Sequence, residues 1–139
     1  MTHKVLLDAG PLVALVNRRD RYHTWAREQV AELVPPLFTC EAVLTEACHL
    51  LRNLNGGIEA VIAMAKRELI AIPFRLEEEV ARIAMLIGRY SDVPMSLADA
   101  CLVRMAEQHA QSVIMTLNSD FHVYRRNGRQ IIPTLMPGV

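Results

Sequence analysis

The chain has 139 residues, 52% hydrophobic and 22% charged, with no net charge at neutral pH. This excludes a disordered chain and points to one compact domain, 1–139, with a core of its own. The charge balance argues neither for nor against nucleic acid, so any phosphate binding must come from a local patch. No run of about 18 apolar residues occurs, which excludes a membrane span.

The chain opens on Lys4-Val5-Leu6-Leu7-Asp8-Ala9-Gly10-Pro11. Its apolar run is too short for a helix and reads as a buried parallel strand. Asp8 and Pro11 interrupt the apolar segment, so it does not read as a signal peptide. Pro11 suits the first position of a helix over 11–17. Asp8 is therefore expected at the carboxyl end of a central strand, where ligands bind in open α/β sheets. A turn-closing or helix-capping role explains Asp8 equally well.

Asp20 is an N-cap for a helix over 21–34, which Pro35-Pro36 ends. Residues 37–40 form a second short strand. A helix over 41–54 stops at Asn55-Gly56-Gly57. Its apolar face is Val43, Ala47, Leu50 and Leu54, and Glu46 falls on the border of that face, facing either a cleft or water. A further amphipathic helix spans 58–69, and Ile70-Ala71-Ile72 is a strand ended by Pro73. The helix over 76–90 turns Val80, Ile83, Ala84 and Ile87 inward and pairs Glu78 with Arg82 outward. Glu77-Glu78-Glu79 is a solvated first turn suited to the helix dipole. The three cysteines, Cys40, Cys48 and Cys101, lack Cys-x-x-Cys spacing and read as reduced core thiols of a cytoplasmic protein.

Ser96 opens a helix over 97–110, with Arg104, Glu107, Gln108 and Gln111 on its polar face. Asp99 instead shares the buried stripe with Leu102, Val103, Ala106 and Ala110. A lone carboxylate there is costly unless something compensates it. A capping box with Ser96 is one compensation, and a metal ion at the first turn is the other. Residues 112–116 form another buried strand, followed by Thr116, Asn118, Ser119 and Asp120. Arg125, Arg126 and Arg129 surround a turn at Asn127-Gly128. Gln130-Ile131-Ile132 reads as a short edge strand closed by Pro133.

Alternating strands and helices predict an α/β domain with a mainly parallel sheet of four to five strands. Asp8 and Asp120 then meet at one sheet edge, joined by Glu46 and Asp99 from the helices behind it. Four converging carboxylates repel unless a cation sits among them. Oxygen donors suit Mg²⁺ or Mn²⁺ rather than Zn²⁺. A carboxylate-held metal is the usual apparatus for phosphodiester hydrolysis. Arg18, Arg19, Arg21 and the arginines from Arg125 onward could position a nucleic-acid backbone, or be ordinary surface charge.

The chain resembles PIN-domain proteins, in particular the VapC-type toxin ribonucleases. The matching residues are Leu6–Leu15, Asp20-Arg21-Tyr22-His23, Thr45-Glu46, Ser96-Leu97-Ala98-Asp99-Ala100 and Thr116-Leu117-Asn118-Ser119-Asp120-Phe121, in family order. The resemblance implies a three-layer α/β/α fold and an endoribonuclease dependent on Mg²⁺ or Mn²⁺. It implies homodimers and a cognate antitoxin as partner. Asp8, Glu46 and Asp99 match acidic metal-site positions, one of them binding through water. The family often has Thr-x-Asp-x-Asp-Phe, whereas Asn118 stands at the first of those two acids here. Asn118 ligates through its carbonyl or holds a water, and Asp120 supplies the missing charge. Thr116 orients water or substrate, with Arg18 and Arg125 on the RNA.

Asn118 also leaves room for a catalytically impaired PIN-like module that binds RNA or protein. An aspartate-nucleophile phosphatase is disfavoured, because a second Asp is usual two residues after the first and Gly10 stands there.

Overall fold

Val5, Leu6 and Leu7 are almost wholly withdrawn from water in strand β1 (Lys4–Leu7). A strand covered on both faces carries such an unbroken apolar run. The structure is a computed structural model and describes residues 3–138. After β1 come α1 (Ala9–Val16), α2 (His23–Ala31), β2 (Leu37–Phe38), α3 (Glu41–Leu50), α4 (Gly57–Lys66) and β3 (Ile70–Ala71). Then follow α5 (Leu76–Arg89), α6 (Leu97–Gln108), β4 (Ser112–Met115) and a 3-10 turn at Ser119–His122. The chain closes with β5 (Arg125–Arg126), β6 (Gln130–Ile131) and β7 (Thr134–Leu135).

The main sheet has five strands in the order β3-β2-β1-β4-β7, and every neighbouring pair is parallel. β1 and β4 run side by side from Lys4 opposite Ser112 to Leu7 opposite Met115. From β1 the chain steps outward through β2 to β3, then returns to build β4 and β7 on the other side. Ligands bind outside the carboxyl ends of the strands where such an order reverses. Asp8 and Thr116, the first residues past Leu7 and Met115, lie at that edge of the sheet.

Helices cover both faces of the sheet, giving the expected α/β/α layers. α6 lies against β1 and β4 and packs on α5, whereas α1 packs on α2, α3 and α4. From Ala98 to Val103 every residue of α6 is buried, as befits a helix between a sheet and another helix. Among the described residues no helix is long and apolar enough to cross a membrane.

Several boundaries and faces differ from the sequence expectation. Asp8 is the N-cap of α1, which places Pro11 at the third helical position rather than the first. That position tolerates proline for the same reason, since its N–H has no intrahelical partner. Gly10 allows close approach: a Cβ there would lie 3.2 Å from Leu117 Cδ1 in the loop after β4, so Leu117 would have to shift. Asp20 does not cap α2. Its carboxylate accepts from Tyr22 N–H at 2.8 Å in a turn that delays the helix to His23. α3 buries Val43 and Ala47 as expected, but Leu50 faces solvent and the C-cap Leu51 is buried in its place.

On α5 the buried residues are Ile83 and Leu86, whereas Val80 is 57% exposed and Ile87 also reaches solvent. The expected Glu78–Arg82 pair is absent. Glu78 meets Arg75, and Arg82 turns to Glu107 of α6. Residues 130–131 do not edge the main sheet. They pair antiparallel with Arg125–Arg126, around Asn127 and Gly128 at φ of 52° and 80°. Two consecutive positive φ values suit a tight hairpin. The fifth strand of the main sheet is β7, beyond Pro133.

Candidate active site

Asp8 combines the two readings its sequence allows. One carboxylate oxygen accepts from the Ala9 N–H at 2.7 Å and caps α1. The other accepts from the Thr116 hydroxyl at 2.6 Å. The side chain is fixed at both oxygens, although it is only 6% exposed. Thr116 accepts in turn from the Asn118 N–H at 2.9 Å, and Asn118 Oδ1 accepts from the Asp120 N–H at 3.0 Å. A chain of polar contacts thus runs from β1 across β4 into the 3-10 turn.

Asp99 approaches from α6 and is 7% exposed, as its place on the buried stripe predicts. The Ser96 hydroxyl accepts from the Asp99 N–H at 3.0 Å, so the cap is real. Ser96 accounts for the carboxylate only in part. Oδ2 accepts from the Tyr124 hydroxyl at 2.8 Å. Removing the cap with Ser96→Ala is expected to lower stability by about 1 kcal/mol. Urea unfolding would check it, and no loss would show that burial alone holds the first turn of α6.

Burial pushes Asp8 above the ordinary carboxylate range. Thr116 and the Ala9 N–H pull it back, and the charge of Asp99 pushes it up again. Burial likewise raises Asp99 against the pull of Tyr124 and Ser96, and Asp120 adds to the rise. Glu46 stands exposed at the rim of α3. The wall beside it strips enough water to raise it, and the charges of Asp8 and Asp99 raise it further. Carboxylates from β1, α3, α6 and the 3-10 turn therefore act on one another at one sheet edge.

They do not close on a single point: among the described residues no three His, Cys, Asp or Glu side chains form a ready cage. The donor set still fits a hard divalent cation. Its atoms are oxygens, its charges repel without a cation, and Mg²⁺-like ions keep several waters and take only one or two carboxylates directly.

Three expected positions are placed differently from their assigned tasks. Thr116 is fully buried, with its hydroxyl engaged by Asp8 and Asn118. It holds a carboxylate in place and does not face a substrate. Arg125 folds its guanidinium onto the carbonyls of His122, Val123 and Tyr124. Arg18 follows the far end of α1, about 12 Å along the helix from Asp8. There it lines a cleft against Leu54–Gly57. Asn118 keeps one carbonyl lone pair, since the other accepts from Asp120.

Sequence reasoning missed Tyr124. Its one signal is its spacing three residues after Phe121, which suggests a shared buried side for the two rings.

The model of the PIN domain matches residues 5–127. The chain belongs to the PIN-domain family. Among solved structures, this PIN domain is similar to VapC20 of Mycobacterium tuberculosis, which is described as a toxin that cleaves the sarcin–ricin loop. The likeness has a TM-score of 0.73 at 20% identity and covers 86% of this chain and 94% of that one. It shows a shared fold. No curated protein matches the sequence of this PIN domain.

Proposed function

We propose that this PIN domain is a metal-dependent endoribonuclease of the VapC type, acting as the toxin of a toxin–antitoxin pair in the cytoplasm. One observation carries the reading: Asp8 and Asp99, both buried and both raised, lie at the β1/β4 reversal close enough that their charges act on each other and on the exposed Glu46. Asp8, Asp99 and Glu46 would hold Mg²⁺ or Mn²⁺, with Asp120 adding charge and Asn118 a neutral oxygen. The bound cation would supply an activated water and neutralise charge on the phosphodiester. The protein's own part is to fix the carboxylates. Ala9 N–H and Thr116 immobilise Asp8, and Tyr124 holds Asp99. Exposed Arg129 lies on the β5–β6 hairpin, which begins one residue after Tyr124, and would offer its charge to RNA phosphates.

Two surfaces support the partner proposals. An apolar groove of about 470 Å³ runs between Leu15, Leu33, Leu37, Met64 and Leu69. It continues past Leu15 and Met64 into a stretch lined by Arg18, His23 and Arg67 with no carboxylate. That sequence of surfaces fits an apolar, acidic antitoxin segment. The exposed stripe Leu76, Val80 and Ile87 on α5 fits a second copy of the chain in a homodimer.

The test is cleavage of structured RNAs, a sarcin–ricin-loop oligonucleotide among them, with Mn²⁺ and with EDTA. Cleavage that appears with Mn²⁺ and vanishes with EDTA is expected. Asn118, neutral and engaged in capping the 3-10 turn, favours a second reading as a non-catalytic binding module. Tight RNA binding without cutting in Mn²⁺ would establish that one instead.

A further inference from the structure

Tyr124 has no exposed surface, yet its hydroxyl reaches the carboxylate site and donates to Asp99 Oδ2 at 2.8 Å. The residue is held from every side. Its ring meets Phe121 edge-on at 5.2 Å and Tyr90 at 5.1 Å. Its N–H donates to the Asp120 carbonyl at 3.1 Å. The following N–H, of Arg125, donates to the Tyr90 hydroxyl at 2.9 Å, and the Arg125 guanidinium binds the Tyr124 carbonyl. A side chain with two rotatable bonds, clamped at ring and backbone, offers its hydroxyl to Asp99 in one place only.

We infer that Tyr124 is a positioning residue of the carboxylate site, setting the plane of Asp99 so that it presents an oxygen to the cation. The inference rests on the metal-site reading proposed above. Carboxylates that hold metals are commonly oriented by such outer hydrogen bonds, and their loss weakens metal binding about tenfold to a hundredfold. A purely structural role is the rival explanation: the hydroxyl would then do no more than satisfy a buried carboxylate.

The experiment compares wild type, Tyr124→Phe and Tyr90→Phe by calorimetric titration with Mn²⁺, alongside RNA cleavage. Tyr124→Phe keeps all the ring contacts and loses only the hydroxyl. Tyr90→Phe loses a hydrogen bond in the same cluster without touching Asp99. Tyr124→Phe is expected to bind Mn²⁺ about tenfold more weakly. Its kcat should recover as Mn²⁺ is raised, with KM for RNA unchanged. Tyr90→Phe should keep the wild-type Mn²⁺ affinity. The inference fails if Tyr124→Phe binds Mn²⁺ as wild type does, or if Tyr90→Phe loses as much affinity. If wild type itself neither binds Mn²⁺ nor cleaves RNA, the metal-site reading falls and this inference with it.

Discussion

Asp8→Asn is expected to abolish Mn²⁺-dependent RNA cleavage, by about a hundredfold to a thousandfold, and to make the metal-free protein more stable. Both effects follow from one charge. The loss of activity reflects the several kcal/mol of charge stabilisation that a correctly held cation supplies. The gain in stability reflects where Asp8 sits. Burial and the nearby Asp99 raise it above its ordinary value of 3.8. A group raised in the folded state contributes its stability below its unfolded value and loses it as pH rises through the folded one.

Wild type therefore pays an increasing penalty for ionised Asp8 as pH climbs above about 4, whereas Asn118-like neutrality at position 8 avoids it. Melting temperatures in EDTA should diverge in favour of Asp8→Asn from acid toward neutral pH, then run parallel. The Asn carbonyl can still accept from the Ala9 N–H, so the cap of α1 survives, and its amide NH2 can donate to Thr116 Oγ1 in place of the bond that hydroxyl gave to Asp8. Added Mn²⁺ should reverse the order by stabilising only wild type, by about 2.7 kcal/mol at a hundred times its Kd. Equal melting temperatures at pH 7.5 in EDTA would mean that Asp8 is not under electrostatic stress. The site would then need no cation to relieve it.

Glu107→Ala is expected to lower stability by about 3 kcal/mol, or about 10 °C in melting temperature. The Glu107 side chain is 1% exposed and joins three elements. Arg82 of α5 donates to both of its oxygens at 2.8 and 2.6 Å. Arg104 of its own helix adds a bond at 3.3 Å, and the Asn127 N–H of the hairpin donates at 2.7 Å. Arg104 also binds Glu79. Truncation strands this set. Arg82 and Arg104 keep 28% of their side chains in water, so water takes up part of the loss. The figure therefore lies at the low end for a broken buried pair.

Burial pushes Glu107 up, but Arg82, the Asn127 N–H and Arg104 together bring it below the ordinary 4.5. A lowered carboxylate gives stability above its unfolded value and loses it as pH falls through the folded one. The acid limb of wild type should thus be steeper than that of Glu107→Ala. Urea unfolding at pH 7 and pH 4 separates the two, and an unchanged midpoint at pH 7 would show that α5 is held by its apolar contacts alone.

The local reading of the chain succeeded where burial follows a short period. Val5-Leu6-Leu7 announces a strand buried on both faces, and the Asp after it stands at the strand's carboxyl end. The helical repeat puts Asp99 on the buried stripe of α6, because a helix fixes the direction of each side chain from its neighbours alone. The Asn127-Gly128 turn is legible because it needs positive φ. The helices also read well in number and order, with ends trimmed by a few residues.

Contacts between segments far apart in sequence are set by the packing of the whole fold. Strands of two residues have no period, so β7 and the pairing of β5 with β6 carry no local signal. The buried face of α5 differs from the sequence expectation because its apolar arc is wider than the strip that α6 covers, and only packing on α6 selects Ile83 and Leu86. Thr116 grips Asp8 across 108 positions, and Tyr124 grips Asp99 across 25. Local sequence dictates which residue types stand at strand ends and on buried stripes. The three-dimensional fold decided which of them meet, because hydrogen-bond partners are selected by sheet order and layer packing, which no short window of sequence contains.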